Sequence, residues 1–350
     1  MSFDPLSSVL EAVRLRGAVF FLVDAHAPWA AEAPQAAELA DVVLPGAQHV
    51  LEWHVIARGE CWGGLAGEPP IRLVAGDVIA FPQGDAHGFS SELGLRNPPD
   101  VAAMRSVAGE RLPFRFVQGV DRGAEPAQLV CGFLGCDARP FNPLLATLPR
   151  MLHLRAGAES DGLRALVQLA IAESQARRAG GECMLARISE LLFVESVRRY
   201  LASVDPESTG WFSGLRDPIV GRALAALHAR PRHDWTLDEL ARDSASSRTV
   251  LAERFTHFVG LAPMQYLARW RMQLAASLLL DGQATIADVA YRVGYGSEAA
   301  FSRAFKKLVG SSPKAWREGR ARAAASAPVR GDGTSAAGAP HDVAAREERE

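Results

Sequence analysis

The spacing of apolar residues along the chain changes twice. Residues 5–16 have apolar side chains at three-and-four spacing, as at Leu6, Val9, Leu10 and Val13. Short β-rich runs bounded by Gly and Pro then extend from residue 17 to about residue 134, and helical spacing returns after them. Three-and-four spacing is typical of an amphipathic helix, whereas short runs between Gly and Pro are typical of strands. The order predicts a helix over 5–16, a β-domain and a helical remainder.

The β-rich part contains seven runs with the length of strands: 18–23, 50–56, 61–65, 71–74, 77–82, 114–120 and 128–134. Short strands at roughly even spacing predict an all-β sandwich or barrel. We expect the proline-rich segment 141–154 to lead away from this domain. The odd spacing of Cys131 and Cys136 predicts that they point to opposite faces of one strand, as two small hydrophobic side chains.

Two amphipathic helices are predicted next, around residues 163–171 and 184–194, with Gly180 and Gly181 between them. In the second helix apolar residues lie nearly all round, which is more than one small hairpin needs to bury. Interior packing and a contact between two subunits explain this pattern equally well. The sequence therefore leaves a homodimer open.

Residues 286–313 carry the most specific pattern in the chain. Ile286, Val289 and Ala290 predict a short helix with one buried face, and Gly294 follows where a turn needs positive φ. Ser297 is placed as the N-cap of a second helix, whose apolar stripe contains Phe301, Phe305 and Leu308. The outer face of this helix is mostly polar and basic. A capped helix after a Gly turn predicts a helix-turn-helix whose second helix enters a DNA major groove.

A second copy of this plan lies upstream, in residues 237–263. Ser247 is its predicted N-cap, and both copies close with Phe, a short polar run, Gly and Pro: Phe255, Gly260 and Pro263, then Phe305, Gly310 and Pro313. The paired phenylalanines are 50 residues apart. A helix over 263–280 is predicted to join the two copies, with Pro263 in its first turn. At about 1.5 Å per residue it would be a rod of about 27 Å, close to the roughly 34 Å of one B-DNA turn.

The copy in residues 286–313 resembles the signature of the AraC family of transcription regulators. The resemblance covers roughly residues 218–317 and is carried by residues 294–297, residues 301–306, Gly310 and Pro313. It implies sequence-specific binding to double-stranded operator DNA by two helix-turn-helix units. It also implies base contacts at the positions of Glu298, Ala299, Ser302 and Arg303.

Further DNA-contacting residues are expected beside these positions. They are Ser297 and Lys306 in the second unit, and Arg248, Thr249, Ala252 and Glu253 in the first. Glu253 repels phosphate and Ala252 offers at most a methyl contact, so the first recognition helix is expected to be the less selective. Ala245 stands in its turn where family members usually have Gly, which predicts slight strain there.

The formal net charge of −2 is unevenly distributed along the chain, and this distribution favours a polyanionic partner. Residues 214–320 contain 16 Lys/Arg and 10 Asp/Glu, whereas residues 1–213 contain 18 and 25. The four cysteines are too few and too irregularly spaced for a disulfide scaffold or a paired zinc motif. A reduced, cytoplasmic setting is expected. The chain lacks an apolar run of the roughly 18 residues needed to span a membrane, so no membrane partner is expected.

The β-rich part resembles the cupin family in two motifs. Residues 76–87 match Gly, five residues, Pro-x-Gly, two residues and His, although Ser91 stands where Asn is usual. Residues 52–59 resemble the Glu, six residues and Gly of the first motif, but its His-x-His is missing. The resemblance thus carries over only Glu52 and His87 as metal ligands, and His54, on the same strand face as Glu52, could stand in as a third. We therefore expect Glu52, His54 and His87, with Trp53 or Trp62 nearby, to bind a small-molecule effector without a metal, and we expect no cofactor and no catalytic residue.

Two functions are compatible with the pattern of the whole chain. The first is a transcription regulator whose cupin-like domain senses a small molecule; the second is a metal-dependent cupin enzyme with a helical appendage. The duplicated helix-turn-helix is nearly complete whereas the metal-ligand set is not, and this favours the regulator. An activator would also contact RNA polymerase.

The predicted fold is an α+β multidomain chain. Residues 1–150 form a cupin-like β-barrel that senses the effector, and residues 151–213 form the helical hairpin, where a dimer contact could lie. Residues 214–320 form an all-α domain with two helix-turn-helix units, and residues 321–350 form a disordered tail.

Overall fold

Strands precede most of the helices, in the order that the hydrophobic pattern predicts. The structure, a computed structural model, describes residues 3–101, 114–155 except 122 and 124, 161–205 except 177, and 208–325. The first helices and the strands are α1 (Pro5–Ala12), β1 (Arg16–Ala25), β2 (Ala30–Ala33), α2 (Ala40–Val43), β3 (His49–Arg58), β4 (Glu60–Leu65), β5 (Ile71–Val74), β6 (Val78–Phe81), β7 (His87–Ser90), β8 (Phe114–Gln118), β9 (Ala127–Cys136) and β10 (Leu152–Leu154). The later helices are α3 (Asp161–Ala176), α4 (Gly181–Ser203), α5 (Trp211–Arg216), α6 (Val220–Ala229), α7 (Leu237–Asp243), α8 (Arg248–Val259), α9 (Pro263–Leu280), α10 (Ile286–Arg292), α11 (Glu298–Val309) and α12 (Pro313–Ala325).

The strands form two sheets that face each other. One has six strands in the order β10-β6-β3-β9-β1-β8, and the other has four in the order β2-β7-β4-β5. All seven predicted strands are present, whereas β2, β7 and β10 were not predicted. The expectation that residues 141–154 lead away from the β-domain is wrong at its end, because β10 returns and pairs Leu152 with Ala80 of β6. These three strands have only three or four residues each, too few for a period to be recognised.

The alternating side chains of strand β3 identify the inner and outer faces of the six-stranded sheet. Ile56 lies in the apolar cluster between the sheets, together with residues of β4, β6, β7 and β9. Leu51, Trp53 and Val55 alternate with it and lie in a second cluster on the outer face, beneath the helices. Because successive side chains of a strand point to opposite faces, Glu52 and His54 belong to the inner face with Ile56. Cys131 lies in the inner cluster and Cys136 in the outer one, as their odd spacing predicts.

Helices α3 and α4 cover the outer face of the six-stranded sheet. Leu163 and Val167 of α3 and Leu185 and Ile188 of α4 lie in the outer cluster. The contact between α4 and β1 is close, because a Cβ atom on Gly17 would lie 2.1 Å from the backbone oxygen of Ala186. Only glycine fits there, so the sequence permits the helix to pack directly on the strand backbone.

Helices α5 to α12 form an all-α domain built on α9. The side chains of Leu251, Phe255 and Phe258 from α8 join the same large cluster as the outer face of the sheet. A separate cluster contains Met272 of α9, Val289 of α10, and Phe301 and Phe305 of α11. The two helix-turn-helix units therefore pack at the two halves of α9.

Helix α1 connects the β-domain to this helical domain. It ends at Ala12 rather than at the predicted residue 16, because Arg14 takes a φ of 52° and β1 begins at Arg16. The carbonyl oxygen of Ala12 accepts hydrogen bonds from Gln273 Nε2 and Ser277 Oγ of α9, both at 3.1 Å. The N-terminal helix of the chain is thus bonded directly to the helix that joins the two helix-turn-helix units.

The predicted disordered tail begins too early. Helix α12 continues to Ala325, so residues 321–325 are helical, and residues 326–350 lie outside the described residues. Among the helices that the structure describes, none is both long and apolar enough to cross a membrane.

Candidate functional site

Helix α11 presents a polar and basic face beside a fully buried one. Ser297 caps it, because its hydroxyl oxygen accepts a hydrogen bond from the Ala300 amide at 3.2 Å. Phe301 and Phe305 are fully buried, and this fixes the rotation of the helix. Of the predicted contact residues, Ser297, Glu298, Ala299, Arg303 and Lys306 are exposed and Ser302 is half-buried. Within the described part of the chain, no carboxylate lies within 4.0 Å of the cationic groups of Arg303 or Lys306.

Helix α8 is capped in the same way as α11 but has different side chains on its outer face. Ser247 accepts from the Val250 amide at 3.3 Å and is the N-cap, as predicted. Arg248, Thr249 and Glu253 are exposed, and Ala252 is half-buried. The Arg248 guanidinium lies 3.8 Å from the Asp238 carboxylate of α7, so part of its charge is compensated.

The turns before α8 and α11 have the same hydrogen bonds but different residues. The amide of Ser246 donates to Ala241, and the amide of Tyr295 donates to Ala290, both at 2.9 Å. This bond requires a left-handed residue, which is Ala245 (φ 50°) in the first unit and Gly294 (φ 86°) in the second. The strain predicted for Ala245 therefore has a structural basis, because a Cβ atom is disfavoured in that conformation.

Helix α9 holds the two units at a fixed separation. It has 18 residues, from Pro263 to Leu280, as the sequence predicts. The half-buried Arg271 side chain donates to the carbonyl oxygens of Pro231 and His233, at 2.7 and 2.8 Å, and ties α9 to the segment before α7. The recognition helices α8 and α11 are therefore carried by one rigid rod of about 27 Å.

The barrel interior brings Glu52, His54 and His87 into one cluster. Glu52 and His54 come from β3, and His87 reaches them from β7 in the opposing sheet. The Nε2 atoms of the two histidines are 2.8 Å apart, and His87 Nε2 is 3.6 Å from Glu52 Oε2. All three residues are buried, with at most 6% of any of them exposed. The residues predicted to line a pocket thus contact one another.

Burial sets the protonation of this cluster. It raises the pKa of Glu52 to about 8 and lowers the pKa of His87 to about 4, because both charged forms lose their hydration. Burial, and secondarily the neighbouring His87, also hold the pKa of His54 well below its usual value. At neutral pH the cluster is therefore uncharged, and the contact between Glu52 and His87 is not an ion pair.

The aromatic side chains beside the cluster are not the tryptophans that the sequence predicts. Trp53 points to the outer face of the sheet, and Trp62 alternates with the inward-facing Cys61, so neither belongs to the cluster. Phe81 stacks on the His87 ring at 3.8 Å between centroids, and Phe89 meets the His54 ring edge-on at 4.7 Å. The prediction of Trp53 or Trp62 is wrong, because it rests on proximity in sequence, whereas successive side chains of a strand point to opposite faces.

Sequence reasoning also missed Gln273, which is completely buried in α9. Its Oε1 atom accepts from the Phe141 amide at 3.1 Å, while its Nε2 atom donates to Ala12. Both partners belong to the N-terminal half of the chain, so this side chain links the two halves. Its only signal in the sequence is a polar residue among the apolar positions of α9.

Two family models match the chain. A model described as Cupin matches residues 4–202, which include the barrel and helices α3 and α4, and a model described as Helix-turn-helix domain matches residues 240–319.

Relatives of similar length share both parts. The chain is 32% identical over 317 residues to a putative AraC-like transcription regulator of Streptomyces antibioticus, covering 90% of this chain and 98% of that protein. It is 29% identical over 318 residues to the HTH-type transcriptional regulator AlkR of Acinetobacter baylyi, covering 90% and 99%.

Solved structures with similarity include the DNA-binding domain of AdpA and ToxT. The DNA-binding domain of AdpA in complex with a target DNA is 32% identical and covers 30% of this chain and 96% of that chain, with a TM-score of 0.29. ToxT from Vibrio cholerae is 10% identical and covers 88% of this chain and 98% of that chain, with a TM-score of 0.33.

Proposed function

Because the chain belongs to the AraC family of DNA-binding transcription regulators, we propose that it reads an operator with both helix-turn-helix units under control of an effector sensed by its barrel. The observation that carries the DNA-binding part is the pair of capped recognition helices on one rod, each with its outer face exposed. Helices α8 and α11 would enter successive major grooves on one side of the duplex.

In this proposal α11 is the main reader of bases. The guanidinium of Arg303 is exposed, with no ion-pair partner among the described residues, so no intramolecular pair must be broken before it binds guanine. Lys306, one turn further along, would contact phosphate. Glu298, in the first turn of α11, would accept only from cytosine, so Ser302 and Arg303 carry most of the readout.

Operator binding can be tested with purified full-length protein. Sequencing of genomic fragments retained by the protein identifies the operator, and a gel shift then compares Arg303→Ala with the wild type. We expect the substitution to cost about 1–3 kcal/mol of specific affinity. Arg187→Ala serves as the matched control, because Arg187 is an exposed arginine of α4 that pairs with Glu190. Equal affinity of Arg303→Ala and the wild type would remove Arg303 from the interface.

The effector part of the proposal rests on the contacts between the two halves of the chain. Helix α1 leads directly into β1, and it touches α9 through Ala12 and α6 through Ser8, whose hydroxyl is 3.3 Å from His228 Nδ1. A change in the barrel could therefore reach the rod that holds α8 and α11. Binding at the barrel alters DNA affinity only if the effector prefers one arrangement of these contacts.

The enzyme alternative receives less support. Glu52, His54 and His87 are sealed between the two sheets, with at most 6% of any of them exposed, so a substrate has no direct access to them. The relatives of similar length are transcription regulators. We infer a sensing role for the barrel and no catalytic role.

A further inference from the structure

The three buried donors of the barrel have the geometry of an ion site. Glu52 and His54 stand two residues apart on the inner face of β3, and His87 faces them from the other sheet. One ligand atom from each lies within 4.8 Å of the other two. Contacts from two separate sheets hold these atoms together, so the arrangement belongs to the fold and not to one loop.

The spacing of these atoms suits a metal ion better than an organic molecule. Zinc binds nitrogen at about 2.0–2.1 Å in a tetrahedron, which places neighbouring ligand atoms about 3.3 Å apart. Two of the three separations, 2.8 and 3.6 Å, lie on either side of that value, and the third is at most 4.8 Å. An organic effector would have to separate His54 from His87, whose rings are packed by Phe81 and Phe89.

The ring of His87 is oriented for coordination. Its Nδ1 atom lies 2.9 Å from the carbonyl oxygen of Asp85 and donates to it, because a carbonyl can only accept. The Nε2 atom of neutral His87 therefore carries a lone pair, directed at His54 and Glu52. A metal-binding histidine is commonly oriented by a hydrogen bond of this kind from its other nitrogen.

Glu52 provides a second, independent observation. Its Oε1 atom is buried, and no hydrogen-bond partner for it is found among the described residues. A buried carboxyl group without such a partner is costly, and a coordinated cation compensates it. The residues present thus fit a metal ion, although the His-x-His of the usual cupin motif is absent from this chain.

We propose that Glu52, His54 and His87 bind one divalent transition-metal ion of the zinc class. Two imidazole nitrogens and one carboxylate oxygen suit zinc and its first-row neighbours, whereas magnesium and calcium prefer oxygen ligands alone. Three protein ligands leave one position for water or a further ligand. The inference deepens the proposed sensing function, since it identifies the ligand class of the same site, and it rests on that function only for the consequence for DNA.

Metal binding is tested on the full chain, stripped with a chelator and then exchanged into chelator-free buffer. Zn²⁺ titrated into this protein should bind at one equivalent per chain, and Co²⁺ should give visible absorption bands. At 100-fold excess over its dissociation constant, Zn²⁺ should raise the Tm by about 5–10 °C. Glu52→Gln, His54→Gln and His87→Gln should each weaken Zn²⁺ binding by more than about 100-fold, because a direct ligand matters at least as much as its supporting partners.

His153→Gln is the matched control. His153 also pairs with a carboxylate, Asp77 at 3.0 Å, but it lies outside the cluster, so its substitution should leave Zn²⁺ affinity unchanged. Circular dichroism of each chelated variant checks that it folds. Substoichiometric Zn²⁺ in the wild type, or wild-type affinity in all three cluster variants, would overturn the inference.

A gel shift with and without Zn²⁺ separates this inference from the proposed function. An ion that binds the cluster and changes operator affinity supports both. An ion that binds without changing operator affinity supports the site and removes the metal as the effector. Loss of operator binding under all conditions contradicts the proposed function, and the Zn²⁺ titration still decides the site.

Discussion

Burial determines whether a single side chain can carry a charge in the folded protein. His228 of α6 is 3% exposed, and its Nε2 atom lies 2.7 Å from the Tyr266 hydroxyl of α9. That hydroxyl also accepts a hydrogen bond from Trp211 Nε1 at 2.9 Å. Burial lowers the pKa of His228 to about 3, because protonation would place a charge among Trp211, Tyr266 and Trp270. The packing between α1, α6 and α9 therefore requires a neutral imidazole.

This requirement predicts a loss of stability in acid. The folded-state pKa lies below the unfolded value of 6.5, so the unfolded chain binds more protons, and stability falls as the pH drops from about 6.5 towards 3. At pH 5 the contribution of His228 to the free energy of unfolding should be about 2 kcal/mol smaller than at pH 7. Urea unfolding of the wild type and of His228→Gln at both values measures it. The two proteins would lose stability equally if His228 were not the group involved.

For single residues, the sequence predicts local backbone geometry better than it predicts contacts between residues that are distant in the chain. Ser247 and Ser297 were predicted as N-caps, and Gly294 as a positive-φ residue, because each depends only on its own neighbours in the chain. The meeting of His54 with His87 depends on how two sheets face each other, which no local pattern encodes. Gln273 was missed for the same reason, since both of its partners are more than 130 residues away in sequence.

The two recognition helices have the same backbone and unequal outer faces. The outer face of helix α8 carries Ala252 and Glu253, and its Arg248 lies 3.8 Å from the Asp238 carboxylate. The outer face of helix α11 carries Ser302, Arg303 and Lys306. We predict that base-pair substitutions in the half of the operator read by α11 cost about 1–3 kcal/mol each, and that those in the other half cost less. Binding measurements over a complete set of single substitutions test this, and equal losses in the two halves would contradict it.

Helix α4 resolves part of the question that its sequence left open. Leu185, Ile188 and Leu192 are buried, which explains most of its apolar residues by interior packing. Met184 and Leu191, two turns apart on one stripe, remain 46% and 52% exposed. The stripe is available for a second copy of the chain, so the subunit contact stays a prediction for these two residues.

We predict that Leu191→Glu weakens a homodimer at least tenfold. A charge placed in an apolar contact loses hydration without gaining a partner. Sedimentation velocity over a concentration series measures the association, and Leu93→Glu, at another exposed leucine, is the control. A wild-type protein that stays monomeric throughout the series would remove the stripe as an interface.

One continuous apolar cluster joins the barrel to the first helix-turn-helix unit. It includes the outer face of the six-stranded sheet, helices α1, α3 and α4, and the first helix-turn-helix unit. The second unit has its own cluster around Phe301 and Phe305. The first unit is therefore anchored to the barrel, whereas the second is attached through α9.

The hydrogen bonds of Gln273 give a direct test of this anchoring. Gln273→Leu keeps the size of the side chain but removes the acceptor of the Phe141 amide, at a cost of about 1–3 kcal/mol for that group, and leaves the Ala12 carbonyl bonded to Ser277 Oγ alone. We predict faster hydrogen exchange at the Phe141 amide and a weaker response of DNA affinity to barrel ligands.

Gln265→Leu is the control for this substitution. It lies on the same helix, is exposed, and bonds only locally to the Ala262 amide at 3.4 Å. Equal exchange at Phe141 in the two variants would show that Gln273 does not hold the halves together.

The domain order was predictable because each domain has a repeating pattern of its own. The seven predicted strands, the two helix-turn-helix copies and the 18-residue rod between them all follow from local periodicity. The docking of α1 against α6 and α9 was not predictable, because the apolar stripe of α1 specifies that the helix is buried but not against which surface.

The position of α1 also has a consequence for how the protein folds during its synthesis on the ribosome. The bond between Ala12 and Gln273 spans 261 residues, so α1 cannot form it until α9 has also been synthesised. Contacts this distant in sequence form late and slow folding. The nascent barrel can close its own sheets while Leu6 and Val9 still lack their partners on the helical domain. The docking of α1 against α9 is therefore expected to follow the formation of the barrel.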